Sequence, residues 1–324
     1  MSLSVNYMGL KLNNPVMAAS SGLTTQKDKV LSFARAGVGA IVLKSLFEEQ
    51  ISNEALFLEE QSMNYPESSD YLHFYLKQNS LDKYLQLVND TKALVNVPVI
   101  ASINCYSLGE WTDFAKKIEA AGADGLELNL YTLPLDIHKK SEEIESQYLN
   151  VVKRVSSSVK IPVAVKIANN FTNLPGFTEN LKAYGAKGVV MFNRLYTPDI
   201  DISNLRLIPS DAFSHSEEYV KELRWMAIIS SLVNNIDLSA STGIHNGTTA
   251  IKQILAGAKT VQMCTALYKE GADVIVHALE DIQLFMDKQG FNSVDEFRGK
   301  LNYKNIQNPD KFERVQFMKN FGSK

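Results

Sequence analysis

Eight short apolar runs punctuate the chain: PVMAA (15–19), AIVLK (40–44), PVIASI (98–103), GLELN (125–129), PVAVK (162–166), GVVMFN (188–193), DLSAS (237–241) and TVQM (260–263). Most are nearly continuous rather than alternating, which is the pattern of parallel strands covered on both faces. Between them lie segments of helical periodicity, among them LDKYLQLVNDTKALV (81–95), EWTDFAKKIEAA (110–121) and EEYVKELRWMAIISSLV (217–233). Four junctions look alike: AGVGAIVL (36–43), AGADGLEL (121–128), YGAKGVVM (184–191) and AGAKTVQM (256–263). Each reads as a helix end, a glycine turn and a strand, with glycine just past the last helical residue. Strand and helix alternating eight times predict an α/β fold, a (β/α)8 TIM barrel spanning 1–324 as one domain. The rival is an open doubly wound sheet, but its GxGxxG fingerprint after the first strand is absent. Two connections exceed a normal barrel loop, 46–79 after the second strand and 194–216 after the sixth, and predict lids over the C-terminal face.

Composition narrows the function more than the fold. With 45% hydrophobic and 21% charged residues over 324 positions, the chain is ordinary globular protein. A formal charge of −3 and the lack of any basic stripe give no electrostatic case for nucleic acid. No apolar run reaches the roughly 18 residues of a membrane span, and MSLSVNYMGLKLNNP has no leader pattern. The two cysteines, Cys105 and Cys264, form no CxxC pair; this excludes a self-contained thiolate metal site and fits a reducing cytoplasm. No spacing of His, Cys and carboxylates reads as a metal site.

In a barrel the telling positions are where strands end. Here they hold Ser20, Lys44, Ser45, Asn104, Asn129, Lys166, Asn193, Thr242, Cys264 and Thr265. Lysine is rarely buried without a partner. Two strand-end lysines with several amides favour a polar ligand carrying negative charge. TGIHNG after the seventh strand and MCTALY after the eighth suit a phosphate, held by backbone N–H groups where Gly243 and Gly247 allow close approach. A phosphate anchor beside Lys and Asn side chains fits flavin mononucleotide (FMN) best, with Lys166 near the electron-rich edge of the ring and Asn129 and Asn193 as hydrogen-bonding amides. An alternative on the same scaffold is a Schiff-base lyase using Lys166.

Six stretches in order, NNPVMAASSG (13–22), VLKS (42–45), ELNL (127–130), VAVKI (163–167), STGIHNGTTA (241–250) and AGAKTVQMCTALY (256–268), resemble the dihydroorotate dehydrogenase family over nearly the whole chain. The resemblance implies a soluble, class 1-like enzyme that passes a hydride from dihydroorotate, or a related cyclic amide, to FMN in pyrimidine biosynthesis. It implies FMN contacts from Ala19, Ser20, Lys44, Ser45, Asn129, Lys166, Asn193, Thr242, Gly243, Cys264 and Thr265. Lys44, Asn129 and Asn193 are expected to touch the substrate. In relatives a Cys or Ser base stands in a Ser-Cys-Pro-Asn loop after the fourth strand; here that loop reads YTLP (131–134), which puts Thr132 at the base position, with Lys44 as the second candidate catalytic residue. The substrate loop is not recognisable in 46–80, Arg194 follows Asn193 where Ser or Thr is expected, and DAFSHSEEY (211–219) replaces a glycine-rich loop. The flavin half thus looks retained and the orotate half altered, so a flavin-binding protein without dihydroorotate turnover is a further alternative. A homodimer and a soluble electron acceptor or partner are the expected associations.

Overall fold

A computed structural model describes residues 1–47, 68–104, 111–195 and 197–313, with side chains from 79 onward in the second of these segments. The chain opens with an antiparallel hairpin, β1 (Val5–Tyr7) and β2 (Leu10–Leu12). The parallel strands follow as β3 (Val16–Ala18), β4 (Ala40–Val42), β5 (Leu46–Phe47), β6 (Val99–Asn104), β7 (Gly125–Asn129), β8 (Val163–Ile167) and β9 (Gly188–Met191). A second hairpin, β10 (Pro198–Asp201) with β11 (Arg206–Pro209), precedes β12 (Asp237–Ser241) and β13 (Thr260–Met263). Every pairing in the large sheet is parallel, and β4 pairs both β3 and β6, so the sheet closes on itself. The eight predicted strands are the eight staves, in order; β5 only prolongs the second, pairing with the far end of β6. The open sheet is excluded by that closure.

The apolar runs form strands because helices cover them outside and neighbouring staves cover them inside. The helix Trp111–Ala120 shows the logic: Trp111, Phe114, Ala115 and Ile118 are buried at helical spacing, and each large side chain contributes about 1.5–3 kcal/mol by leaving water. Each repeated junction turns on a glycine of positive φ, namely Gly37 (87°), Gly122 (93°), Gly185 (108°) and Gly257 (123°). That conformation is costly for any residue with a Cβ, which is why the motif recurs.

The first hairpin closes the N-terminal end of the barrel. Gly188 opens β9, and a Cβ there would stand 3.0 Å from Met8 and from the Tyr7 hydroxyl. The Met8 N–H donates to Asp237 Oδ2 (2.6 Å), and Lys259 Nζ pairs with Asp237 Oδ1 (2.9 Å). The strand ends that carry polar side chains lie at the opposite, C-terminal end.

The long connections depart from expectation. In the first, residues 68 onward belong to a helix, Ser68–Leu94, which runs through the segment predicted to begin only at 81. The remainder of that proposed lid, 48–67, lies outside the described residues, as does Cys105. The second connection carries the β10–β11 hairpin, with Ile200, Ile202, Leu205 and Leu207 exposed.

Candidate active site

Period-two alternation sends every second strand residue toward the barrel axis. On β7 these include Glu127 and Asn129, on β8 Lys166, and on β13 Gln262; all four are buried. Near the open end they meet a pocket whose wall includes Ala19, Ser20, Lys166, Asn193, Thr242, Gly243, Cys264 and Thr265. Eight of the eleven predicted cofactor contacts therefore share one cavity. Two more adjoin it. Asn193 Nδ2 donates to Asn129 Oδ1 (3.0 Å), and the Ser45 N–H donates to Ser20 Oγ (3.0 Å). Ser45 Oγ continues to Ser102 Oγ (2.7 Å), whose backbone is clasped by the buried Tyr84 hydroxyl. Burial pushes the Tyr84 phenol well up, so it stays a neutral donor.

Lys44 ends the second stave half-buried, and it does not reach this wall. Thr132 does not reach it either. Its N–H donates to the Tyr148 hydroxyl (2.8 Å), which donates in turn to Thr132 O (3.4 Å). Burial raises the Tyr148 phenol, against the lowering effect of these bonds to Thr132. Thr132 is thus exposed at the start of the loop beyond β7, tied to a helix outside the barrel.

The anion end is built by the last two turns. Thr242 (φ 73°) and Gly243 (φ 74°) are successive left-handed residues. The N–H groups of Gly243, Ile244 and Thr265 find no acceptor among the described residues. Such concavities of backbone donors attract phosphate. Gly243 is required twice over, since a Cβ there would overlap the Tyr219 backbone nitrogen. Gly243→Ala should therefore destabilise by at least about 2 kcal/mol, read as a lower urea midpoint at unchanged slope. An unchanged midpoint would show that this turn carries no such constraint.

Gly247 serves a different purpose from the one its motif suggests. A Cβ there would overlap Asp281, so it admits the helix Asp273–Gln289 rather than a ligand. The helix Gly247–Ala256 also spends its first turn on itself: Asn246 caps it, accepting from the Thr249 N–H (2.9 Å).

Sequence reasoning missed several groups here. Glu127 and Gln262 each sit two residues before a predicted site residue, so strand alternation alone would have found them. Ser214, which precedes a helix in the DAFSHSEEY loop, also joins the site: its N–H donates to Thr265 Oγ1 (3.1 Å) and its hydroxyl meets His245 Nε2 (2.9 Å). Burial is the main cause lowering the His245 imidazole, which favours its neutral form. Arg194, one of the departures noted above, lines the pocket while bonding Glu218 (3.2 Å) and the carbonyls of Asp211 and Ala212. It thereby ties the replaced loop to the rim. Cys264 also faces the cavity; burial pushes its thiol up, against the opposing influence of Lys166. Among the described residues no group of His, Cys, Asp and Glu is arranged to hold a metal, and no helix is long and apolar enough to cross a membrane.

The family model for dihydroorotate dehydrogenase matches residues 2–286. The chain belongs to the dihydroorotate dehydrogenase family. Members of this family are flavin-dependent oxidoreductases acting on the CH–CH group of dihydroorotate. Among its relatives, the protein named dihydroorotate dehydrogenase B (NAD(+)), catalytic subunit, from Thermoplasma volcanium is 27% identical over 305 residues, covering 92% of this chain and 97% of the relative. Proteins of the same name from Pyrococcus abyssi and a Geobacillus species are 28% and 26% identical, each again covering 92% of this chain and 98% and 95% of the relative. For a dihydroorotate dehydrogenase, the donor set suits a flavin: an ammonium and two linked amides at strand ends, with a cradle of backbone N–H groups to one side. The lyase alternative loses ground on the same geometry, because Lys166 is engaged by Gln262 and Glu127 rather than presented as a bare amine.

Proposed function

We propose that this protein oxidises dihydroorotate to orotate using FMN held in the pocket between Ser20, Lys166, Asn193 and the 242–244 and 264–265 turns. The observation that carries this reading is the convergence of Lys166, Asn193 and the Gly243 cradle on one cavity. FMN, when bound, supplies the hydride acceptor. Lys166 supplies positive charge at the cavity floor, and the Asn129–Asn193 pair orients polar edges by hydrogen bonds. Gly243, Ile244 and Thr265 grip the phosphate through their N–H groups. Ala19, Ser20, Ser45, Thr242 and Cys264 complete the cofactor's surroundings.

In this reading Thr132 is the proton acceptor and Lys44 the substrate-side cation; both stand outside the cofactor wall, so the role requires the loop beyond β7 to carry the Thr132 hydroxyl over the pocket when substrate binds. A Thr hydroxyl is a weak base and needs a partner to hold it; Tyr148, bonded to the Thr132 backbone on both sides, fixes that stretch of loop. Asn129 and Asn193 share the substrate between them. The relatives named as NAD(+)-linked catalytic subunits support an electron acceptor reached through a partner protein. The exposed Ile200, Ile202, Leu205 and Leu207 give an apolar surface of the kind that subunit interfaces cover, which supports a homodimer. A cytoplasmic setting fits the chain's thiol content.

The test is a visible spectrum of the purified protein with added FMN, then anaerobic addition of dihydroorotate. The expected result is a bound flavin spectrum that bleaches on addition. Thr132→Val should keep the flavin and slow bleaching by about 100-fold or more. A protein that stays colourless with FMN would refute the cofactor, and unaltered bleaching in Thr132→Val would remove Thr132 from the mechanism.

A further inference from the structure

Beneath the pocket lies a charge that the reaction as described does not use. Glu127 points into the barrel from β7 with a side chain only 2% exposed. Its Oε1 stands 3.8 Å from Lys166 Nζ, whose side chain is 9% exposed. That is an ion pair, but it is too long for a hydrogen bond. The connection runs instead through Gln262, which reaches in from β13. Gln262 Nε2 donates to Glu127 Oε2 (2.7 Å), and Gln262 Oε1 accepts from Lys166 Nζ (3.3 Å). The two bonds settle the amide's orientation, because an ammonium cannot accept and a carboxylate cannot donate. Gln262 lines the pocket, whereas Glu127 lies under it.

Such an arrangement is a poor device for stability. Removing a carboxylate from water costs several kcal/mol, and apolar side chains of the same volume often serve a barrel interior as well or better. Glu127 Oε1 also lacks a hydrogen-bond partner. What the triad does accomplish is geometric and electrostatic. The amide spacer holds the ammonium apart from the carboxylate, up at the cavity floor, while the carboxylate offsets part of its charge.

We propose that Glu127 is a positioning residue that acts through Gln262 to place Lys166 Nζ at the flavin and to moderate its positive charge, thereby setting the reduction potential of the bound cofactor. This rests on the FMN reading above. The logic of sign is direct. Reduction adds negative charge to the pocket, so a stronger local positive charge favours the reduced form. Glu127→Gln keeps the shape and removes the offset, which raises the potential. Gln262→Met keeps both charges and removes the spacer, so the ammonium closes onto the carboxylate and withdraws from the floor, which lowers it.

The experiment is a potentiometric titration of the FMN-loaded protein against a reference dye, with FMN affinity measured alongside. Glu127→Gln is expected to raise the reduced-to-oxidised ratio at a fixed poise at least tenfold, about 30 mV for a two-electron couple. Gln262→Met is expected to lower it by at least the same factor. Opposite shifts are a signature that generalised damage to the barrel would not produce. Reduced-to-oxidised ratios that change less than tenfold from wild type, or shifts of the same sign, would overturn the inference. If Glu127→Gln does not fold, Gln262→Met alone decides: a fall supports the inference, and no change or a rise defeats it. Wild-type protein that takes up no FMN would instead defeat the cofactor reading, so the two failures are distinguishable.

Discussion

Lys166→Met is expected to cost about 3–5 kcal/mol of stability and to slow reduction of the bound flavin by dihydroorotate about 100- to 1,000-fold. Both effects come from one ammonium. In the native barrel it faces Glu127 and bonds Gln262. Methionine fills much of the same space but leaves a buried carboxylate with only the amide for company, which is the costly way to break an ion pair. The rate falls for a separate reason. With FMN bound, hydride transfer would place negative charge over the cavity floor, and a fixed, buried cation would stabilise it without reorganisation. Urea unfolding and anaerobic stopped-flow measure the two losses independently. Lost stability with an unchanged rate would make Lys166 a structural residue only; neither loss would remove it from the argument altogether. Lys166→Arg, which keeps the charge, should recover most of the stability.

A second large effect concerns pH. Glu222 lies in the first turn of the helix Tyr219–Leu232, buried, with Oε2 unpartnered. Desolvation is the main cause that lifts its carboxyl from 4.5 to about 7; Glu218 adds to the rise, while its own backbone and Lys221 oppose it. The folded state therefore binds this proton more tightly than the unfolded chain. Its stabilising contribution is complete below about 4.5 and is lost as pH rises through about 7. A rise from 4.5 to about 7, at about 1.4 kcal/mol per pH unit, amounts to about 3 kcal/mol. Glu222→Gln keeps a neutral side chain at every pH. The variant should match wild type at pH 4 and exceed its stability by about 3 kcal/mol at pH 8, read from urea midpoints across that range. A difference that stays flat with pH would show that the Glu222 carboxyl titrates alike in the folded and unfolded protein, so that burial does not raise it.

Much of the architecture was legible along the chain. GLELN, DLSAS and TVQM are the fourth, seventh and eighth staves residue for residue, and the other five runs overlap theirs closely. Continuous apolar runs say that both faces are covered, and the glycine of each helix–strand junction marks a backbone conformation that few other residues tolerate. Lys166, Asn193 and Thr265 were read as strand-end polar groups, and Gly243 as a turn glycine, for the same local reason. Less was legible where the signal was not periodic. The hairpin Val5–Leu12 is too short to show alternation, and its role in closing the barrel depends on Asp237, more than 200 residues away. Helix 68–94 begins with SSDYLHFYLKQNS, in which apolar and polar positions follow no clean helical period, so its start was not legible.

By itself, then, the order of residues determined which side chains face the barrel axis, where the backbone must turn, and which family's motifs the chain carries. Only the folded structure decided who meets whom. Closing the sheet brings Gln262 to Glu127 across 135 residues and Lys166 to Gln262 across 96, and the packing of the helix Ser141–Ser158 ties the Thr132 backbone to Tyr148. The reason is physical: facing is a local consequence of strand and helix period, whereas partnership follows from the shear and closure of the whole ring, which no single segment encodes.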